Sequence, residues 1–141
     1  MCGIIGFIGG EQAAPILLGG LKKLEYRGYD SAGIAILEDG KIEIAKSKGR
    51  LEILSDKIEG GRSFFGTVGI GHTRWATHGE PSDANSHPHR SSSGKFAIVH
   101  NGIIENYAAL KAQLQAQGCI FASETDTEVI AHLLEQNDTG D

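Results

Sequence analysis

A chain of 141 residues has the length of one domain, and it is read as a single one over residues 1–141. Its formal net charge of −5 and the lack of a Lys/Arg-rich run argue against a nucleic-acid partner; no apolar run approaches the ~20 residues of a membrane helix. No charged-then-apolar leader opens it, and its two cysteines, Cys2 and Cys119, read as free thiols, so a cytoplasmic location is expected.

Residues 3–9 read as a short buried strand that begins almost at the first residue. Ala14, Leu17, Leu18 and Leu21 recur at i, i+3, i+4 and i+7, which predicts an amphipathic helix. Pro15 fits only its first turn, and Gly19 and Gly20 each cost ~1 kcal/mol relative to Ala unless they admit a close neighbour. Residues 32–37 and 41–46 flank Asp39-Gly40, a strong hairpin signal. Residues 51–58 suggest a short helix. In the strand predicted at 67–73, Val68, Ile70 and His72 share one face, while Thr67, Gly69 and Gly71 leave the other nearly bare.

Residues 74–94 read as a long polar loop holding Pro81, Pro88, His78, His87 and His89; a structureless stretch of that length is usually functional. A strand at 96–99 follows, then a helix marked by Ile103, Tyr107, Leu110 and Leu114. Thr125-Asp126-Thr127-Glu128 forms a T-x-x-E capping box ahead of a last helix carrying Val129, Ile130, Leu133 and Leu134. Residues 137–141 are polar and expected to fray. The mixed order of strands and helices favours an α+β arrangement, sheets with helices on their faces.

Few residues suggest chemistry. With Met1 removed, Cys2 carries a thiol and a free α-amine, whose ordinary pKa values of about 8.5 and 7.7–8.0 suit a nucleophile beside its own base. The same cysteine could be a small apolar residue at a chain end. Asn101-Gly102 is a hairpin turn on one reading and an oxyanion hole on the other, with a side-chain amide and an unobstructed backbone N–H converging on one oxygen. Arg74 is either a surface residue or a bidentate grip for a carboxylate. Asp126 either complements a helix dipole or holds an ammonium. Histidines 72, 78, 87, 89 and 100 lack the compact spacing of a zinc site, and no metal is assigned. No phosphate-binding loop, nucleophile elbow or C-x-x-C pair is present, and no cofactor is expected.

Taken together, Cys2-Gly3-Ile4 and four longer segments resemble the class II glutamine amidotransferases, and within them the glutamine–fructose-6-phosphate aminotransferase family. The segments are Leu24-Glu25-Tyr26-Arg27-Gly28-Tyr29-Asp30-Ser31-Ala32-Gly33, His72-Thr73-Arg74-Trp75-Ala76-Thr77-His78-Gly79 and His100-Asn101-Gly102-Ile103-Ile104-Glu105-Asn106, with Ser123-Glu124-Thr125-Asp126-Thr127-Glu128-Val129 closing the series. The resemblance implies an N-terminal nucleophile hydrolase fold, two stacked, mainly antiparallel sheets between helical layers, of which this chain is expected to hold the N-terminal portion. It implies that Cys2 attacks the side-chain amide of glutamine, that Asn101 and Gly102 stabilise the oxyanion, and that Arg74 and Asp126 grip the substrate's carboxylate and ammonium. Thr77 and His78 would shape the pocket, Arg27 would support it, and Trp75 would lie in a mobile loop that closes over glutamine. The family's partner is a C-terminal fructose-6-phosphate isomerase domain that receives the ammonia and that nothing in this chain resembles; a homo-oligomer is also admitted. The alternative is a non-catalytic fragment or a glutamine-binding subunit dependent on a partner chain.

Overall fold

The structure is a computed structural model and describes residues 1–140. Six strands and four α-helices follow one another as β1 (Gly3–Ile8), α1 (Ala13–Leu24), β2 (Ser31–Glu38), β3 (Lys41–Lys48), α2 (Leu51–Lys57), β4 (Val68–Arg74), β5 (His89–Arg90), β6 (Ala97–Ile98), α3 (Tyr107–Ala116) and α4 (Glu128–Gln136). One antiparallel sheet has the order β1-β4-β2-β3; β5 and β6 form a second, two-stranded antiparallel sheet. Helices α1 and α2 pack on the four-stranded sheet, and α4 packs on β5 and β6 with α3 beside it. The expected α+β class is therefore borne out.

The hairpin forms where Asp39-Gly40 placed it. Both turn residues have positive φ, 48° and 76°, so the turn twists with its strands and sets Glu38 opposite Lys41. The bare face of β4 also has a use. A Cβ on Gly69 would come within 2.8 Å of Leu17, and one on Gly71 within 3.2 Å of Leu21, so glycine lets α1 lie directly on the middle of the sheet. There Leu17, Leu21, Ile34, Ile36 and Leu54 are buried, with Ile5 and Phe7 packed against them. Each such side chain contributes roughly 1.5–3 kcal/mol by leaving water. Of the two helix glycines, Gly20 sits under Ile5, whereas Gly19 faces open space.

The opposite face of the sheet is polar toward the end of β4. His72 projects from β4, and its ring stacks on that of His87 at 4.1 Å. His87 meets His89 edge-on at 4.6 Å, and His89 Nε2 lies 2.9 Å from Thr125 Oγ1. The backbone of His87 reaches the sheet over Gly33, where a Cβ would fall 2.0 Å from the His87 carbonyl oxygen. Lys46 holds this segment down by donating to the carbonyls of Ala84, Ser86 and Pro88 at 2.9–3.2 Å. Burial keeps all three histidines neutral, with His72 pulled down to about 4 and His87 and His89 further. It also lowers Lys46 to about 8, which leaves the ammonium charged at neutral pH.

Five expectations need correction. Residues 74–94 are not a structureless loop: they contain β5, and Asn85, Ser86, His87, His89 and Ser91 are buried. The strand at 96–99 shortens to Ala97–Ile98, and the helix expected from Ile103 begins at Tyr107, preceded by a turn in which the Ile104 N–H donates to Asp126. The capping box does not form. Thr125 turns its hydroxyl to His89, while Glu128 accepts the N–H groups of Ala122 and Ser123 and the hydroxyl of Ser123. Asn101-Gly102 joins β6 to α3 and is not a hairpin turn. Asp141, the last residue of the tail expected to fray, lies outside the described residues.

Two outcomes follow for stability. Gly33→Ala should cost about 1–3 kcal/mol, since its methyl meets backbone, whereas Gly19→Ala should be neutral or stabilising by up to about 1 kcal/mol; urea unfolding of both reads the difference. In the second, His72, His87 and His89 are neutral in the folded state, so above their ordinary pKa of 6.5 neither state is protonated and stability is undiminished. Below it the unfolded chain binds protons that the folded chain refuses, and each histidine removes up to about 1.4 kcal/mol per pH unit, His72 until about pH 4. The urea midpoint should therefore fall clearly between pH 7.5 and pH 5; an unchanged midpoint would contradict the burial of the stack.

Candidate active site

The pairing of Gly3 with Thr73 carries the chain so that Cys2 meets the residues just past the end of β4. The Trp75 N–H donates to Cys2 Sγ at 3.2 Å. Trp75 is itself fixed from both sides: Asp30 N–H donates to the Arg74 carbonyl at 2.7 Å, and Ala76 N–H donates to Asp30 Oδ2 at 2.6 Å. Asp30 belongs to the Tyr-Arg-Gly-Tyr-Asp-Ser segment, whose Gly28 turns with φ 74° between the 3-10 turn Glu25–Arg27 and β2. That turn exposes two carbonyls, those of Arg27 and Gly28, which accept hydrogen bonds from the Met1 ammonium at 2.9 and 3.0 Å. The Arg27 guanidinium contacts Met1 Sδ at 2.7 Å.

Beside Cys2 opens a cavity of about 410 Å³, within the range of small-molecule sites. Of the residues expected from the sequence, Cys2, Arg27, Arg74, Trp75, Thr77, Asn101, Gly102 and Asp126 all line it. His78 does not line it. It stands behind the wall, edge-on to Tyr107, with Nδ1 3.9 Å from Asp126 Oδ1. The indole of Trp75 is 54% exposed and forms part of the rim.

Arg74 and Asp126 are the charged pair of this cavity, each 3% exposed. Arg74 Nη2 donates to the carbonyls of His78 and Gly79, while buried Nη1 has no partner among the described residues. Burial pulls the Arg74 pKa down, and Asp30, Cys2 and Asp126 work against that. A guanidinium with a spare buried N–H is ready for an anion entering the cavity. Asp126 Oδ2 accepts the Ile104 N–H at 2.6 Å, which leaves Oδ1 the less committed oxygen.

Asn101 donates from Nδ2 to the Cys2 carbonyl at 3.3 Å, and its Oδ1 lies 2.7 Å from His72 Nε2. Gly102 has φ 153°, and a Cβ there would strike the His100 ring at 2.9 Å, so the residue after Asn101 must be glycine on two counts. The wall also includes His87, His100, Thr125 and Thr127, which sequence reasoning did not single out for the site. Strand alternation was the available signal for His72: it lies two residues before Arg74 and therefore on the same face. No comparable pattern marks His87, whose position depends on the contact with Gly33.

Comparison with known proteins agrees with this geometry. A family model described as glutamine amidotransferase domain matches residues 59–140. Glutamine–fructose-6-phosphate aminotransferase [isomerizing] of Caldanaerobacter subterraneus subsp. tengcongensis is 65% identical over 142 residues, covering 100% of this chain and 23% of that protein. The enzyme of the same name from Aquifex aeolicus is 57% identical over 141 residues, covering 100% of this chain and 24% of that protein. The chain thus spans about a quarter of the length of these curated relatives. Among solved structures, glutamine phosphoribosylpyrophosphate amidotransferase from B. subtilis, complexed with ADP and GMP, superimposes with a TM-score of 0.81 at 33% identity, covering 100% of this chain and 30% of that one. A structure described as the allosteric regulatory enzyme of purine biosynthesis gives 0.82 at 34% identity with the same coverage. Among the described residues no helix is long and apolar enough to cross a membrane. Its fold is that of the N-terminal nucleophile amidotransferases, and the chain belongs to the glutamine amidotransferase family.

Proposed function

We infer that this chain hydrolyses the side-chain amide of glutamine through Cys2. The observation that carries the reading is the convergence of a thiol, an Asn-Gly pair and an opposite-charge pair on one small cavity. In the proposed reaction the Arg74 guanidinium takes the α-carboxylate of glutamine and Asp126 takes its α-ammonium, which directs the amide toward Cys2. The free Cys2 α-amine takes the thiol proton and becomes an ammonium as Sγ attacks the amide carbon, and Asn101 Nδ2 and the Gly102 N–H hold the oxygen as it becomes negative. The C–N bond breaks, ammonia leaves with a proton supplied by the Cys2 α-ammonium, and a glutamyl thioester remains. Water then cleaves the thioester, returning the thiol and releasing glutamate. Thr77 bounds the pocket, His78 backs Asp126, Arg27 supports the turn that receives the terminus, and Trp75 closes the rim over bound substrate.

Met1 decides whether this chemistry can run. While it is attached, the Cys2 nitrogen is an amide and cannot act as a base, so the unprocessed chain is restricted to binding glutamine. Its 67% exposure leaves Met1 open to removal. In the protein as a whole, similarity to the fructose-6-phosphate aminotransferases supports delivery of the ammonia to a fructose-6-phosphate isomerase domain, for synthesis of glucosamine 6-phosphate in the cytoplasm.

Ammonia release from glutamine by the natural full-length protein, with Met1 checked by mass spectrometry, tests the reading. Cys2→Ala and the Met1-retaining form should both lose activity by at least about 10³-fold. Arg74→Lys should raise KM about 10- to 100-fold with a smaller effect on kcat. Asp126→Asn should raise KM similarly and also lower kcat, because Asp126 anchors the turn that carries Asn101 and Gly102. Cys2-independent release would overturn the assignment.

A further inference from the structure

Asn101 can present either end of its amide to Cys2, and only one end donates. A half-turn of the side chain would set Oδ1 against the Cys2 carbonyl, acceptor against acceptor, and remove both N–H groups from the site. The residue in contact with the other end is His72, and its ring has no freedom to accommodate that turn. It is fully buried, it stacks on His87 at 4.1 Å and 14°, and His87 is held to the sheet through Gly33. One acceptor faces His72 Nε2, Asn101 Oδ1 at 2.7 Å. Nδ1 has no partner among the described residues. A single ring proton between these alternatives belongs on Nε2, where Asn101 Oδ1 awaits it and where it repels an incoming NH2 group.

We propose that His72 is a positioning residue: its Nε2–H holds Asn101 Oδ1 and thereby keeps the Asn101 NH2 group directed at Cys2. This rests on the glutaminase reading, in which that NH2 group meets the developing oxyanion. His72 touches neither Cys2 nor the substrate in this scheme and acts only through Asn101. The stack gives the buried histidines a purpose beyond packing. His87 clamps the ring plane of His72, and His89, bonded to Thr125, buttresses His87 from the other side.

The natural full-length protein with Met1 removed is assayed for ammonia release. His72→Leu deletes the donor and should lower kcat about 10- to 100-fold while KM for glutamine moves less than about threefold. His72→Gln can bring an N–H to the same place and should recover kcat to within about fivefold of the parent. In the double variant His72→Leu/Asn101→Ala the loss should equal that of Asn101→Ala alone, because both changes disable one amide. Circular dichroism and a thermal melt establish that each variant is folded; if His72→Leu is not, His72→Asn, polar but too short to reach, replaces it. A folded His72→Leu or His72→Asn with parental kcat, or losses that multiply in the double variant, overturns the positioning role and leaves glutamine hydrolysis standing. If the processed parent releases no more ammonia than Cys2→Ala, the glutaminase reading fails and the role of His72 falls with it.

Discussion

The antiparallel register between β1 and β4, with Gly3 opposite Thr73, is the constraint on which the site depends. It brings Cys2, just ahead of the edge strand β1, to the end of β4, which lies between β1 and β2 in the sheet, and so beside Trp75. Because side chains alternate, a slip of one residue would send His72 and Arg74 under α1 and turn Thr73 toward the cavity. The register is protected from the helix side. Gly69 and Gly71 leave room for Leu17 and Leu21, and His72 or Arg74 in their place would drive α1 off the sheet. The hydrophobic core and the candidate site are thus two faces of one strand, and the packing of one fixes the alignment of the other.

The layer on the site side of the sheet is polar, which is costly unless every charge is paired or neutralised. Away from Arg74, whose Nη1 has no partner among the described residues, the molecule meets that requirement in three ways. The histidines stay neutral, Lys46 is surrounded by carbonyl oxygens, and Glu128 accepts the backbone N–H groups of Ala122 and Ser123 with the nearby His132 at 3.2 Å. The gain is rigidity: each polar partner has one place to go, whereas apolar side chains tolerate several packings. Groups that must present one N–H to a reacting atom are better served by such a lattice.

Much of this was legible in the sequence. The hairpin at Asp39-Gly40, the α1 stripe of Leu17 and Leu21 and the bare face of β4 are periodic or turn signals that depend on near neighbours, and they fell where expected. The Cys2-Gly3-Ile4 opening and the long motifs together named eight of the residues that line the cavity. What could not be read was anything decided by a distant partner. The 74–94 segment looks like a polar loop until Lys46 and Gly33, far away in sequence, bind its backbone. Thr125 and Glu128 have capping-box spacing, but His89 and the Ser123 N–H compete for their side chains and win. His78 matches a family motif and still stands behind the wall, because Arg74 takes its carbonyl.

Asp126 connects recognition of the substrate to the chemistry proposed for it. One oxygen is committed to the Ile104 N–H, which ties down the turn that follows Asn101 and Gly102; the other belongs to the cavity. A glutamine with a free α-ammonium would neutralise this carboxylate where water is largely excluded. A glutamine embedded in a peptide would bring an amide instead and leave a buried charge unpaired, at a cost of several kcal/mol. Arg74, with its spare Nη1–H, would in the same scheme impose the matching demand for a free α-carboxylate. On the proposed reading the pair would select a free amino acid over a protein side chain. Because Asp126 also holds the oxyanion turn, a ligand that fails to engage it would be denied both a place to bind and a well-ordered site at which to react.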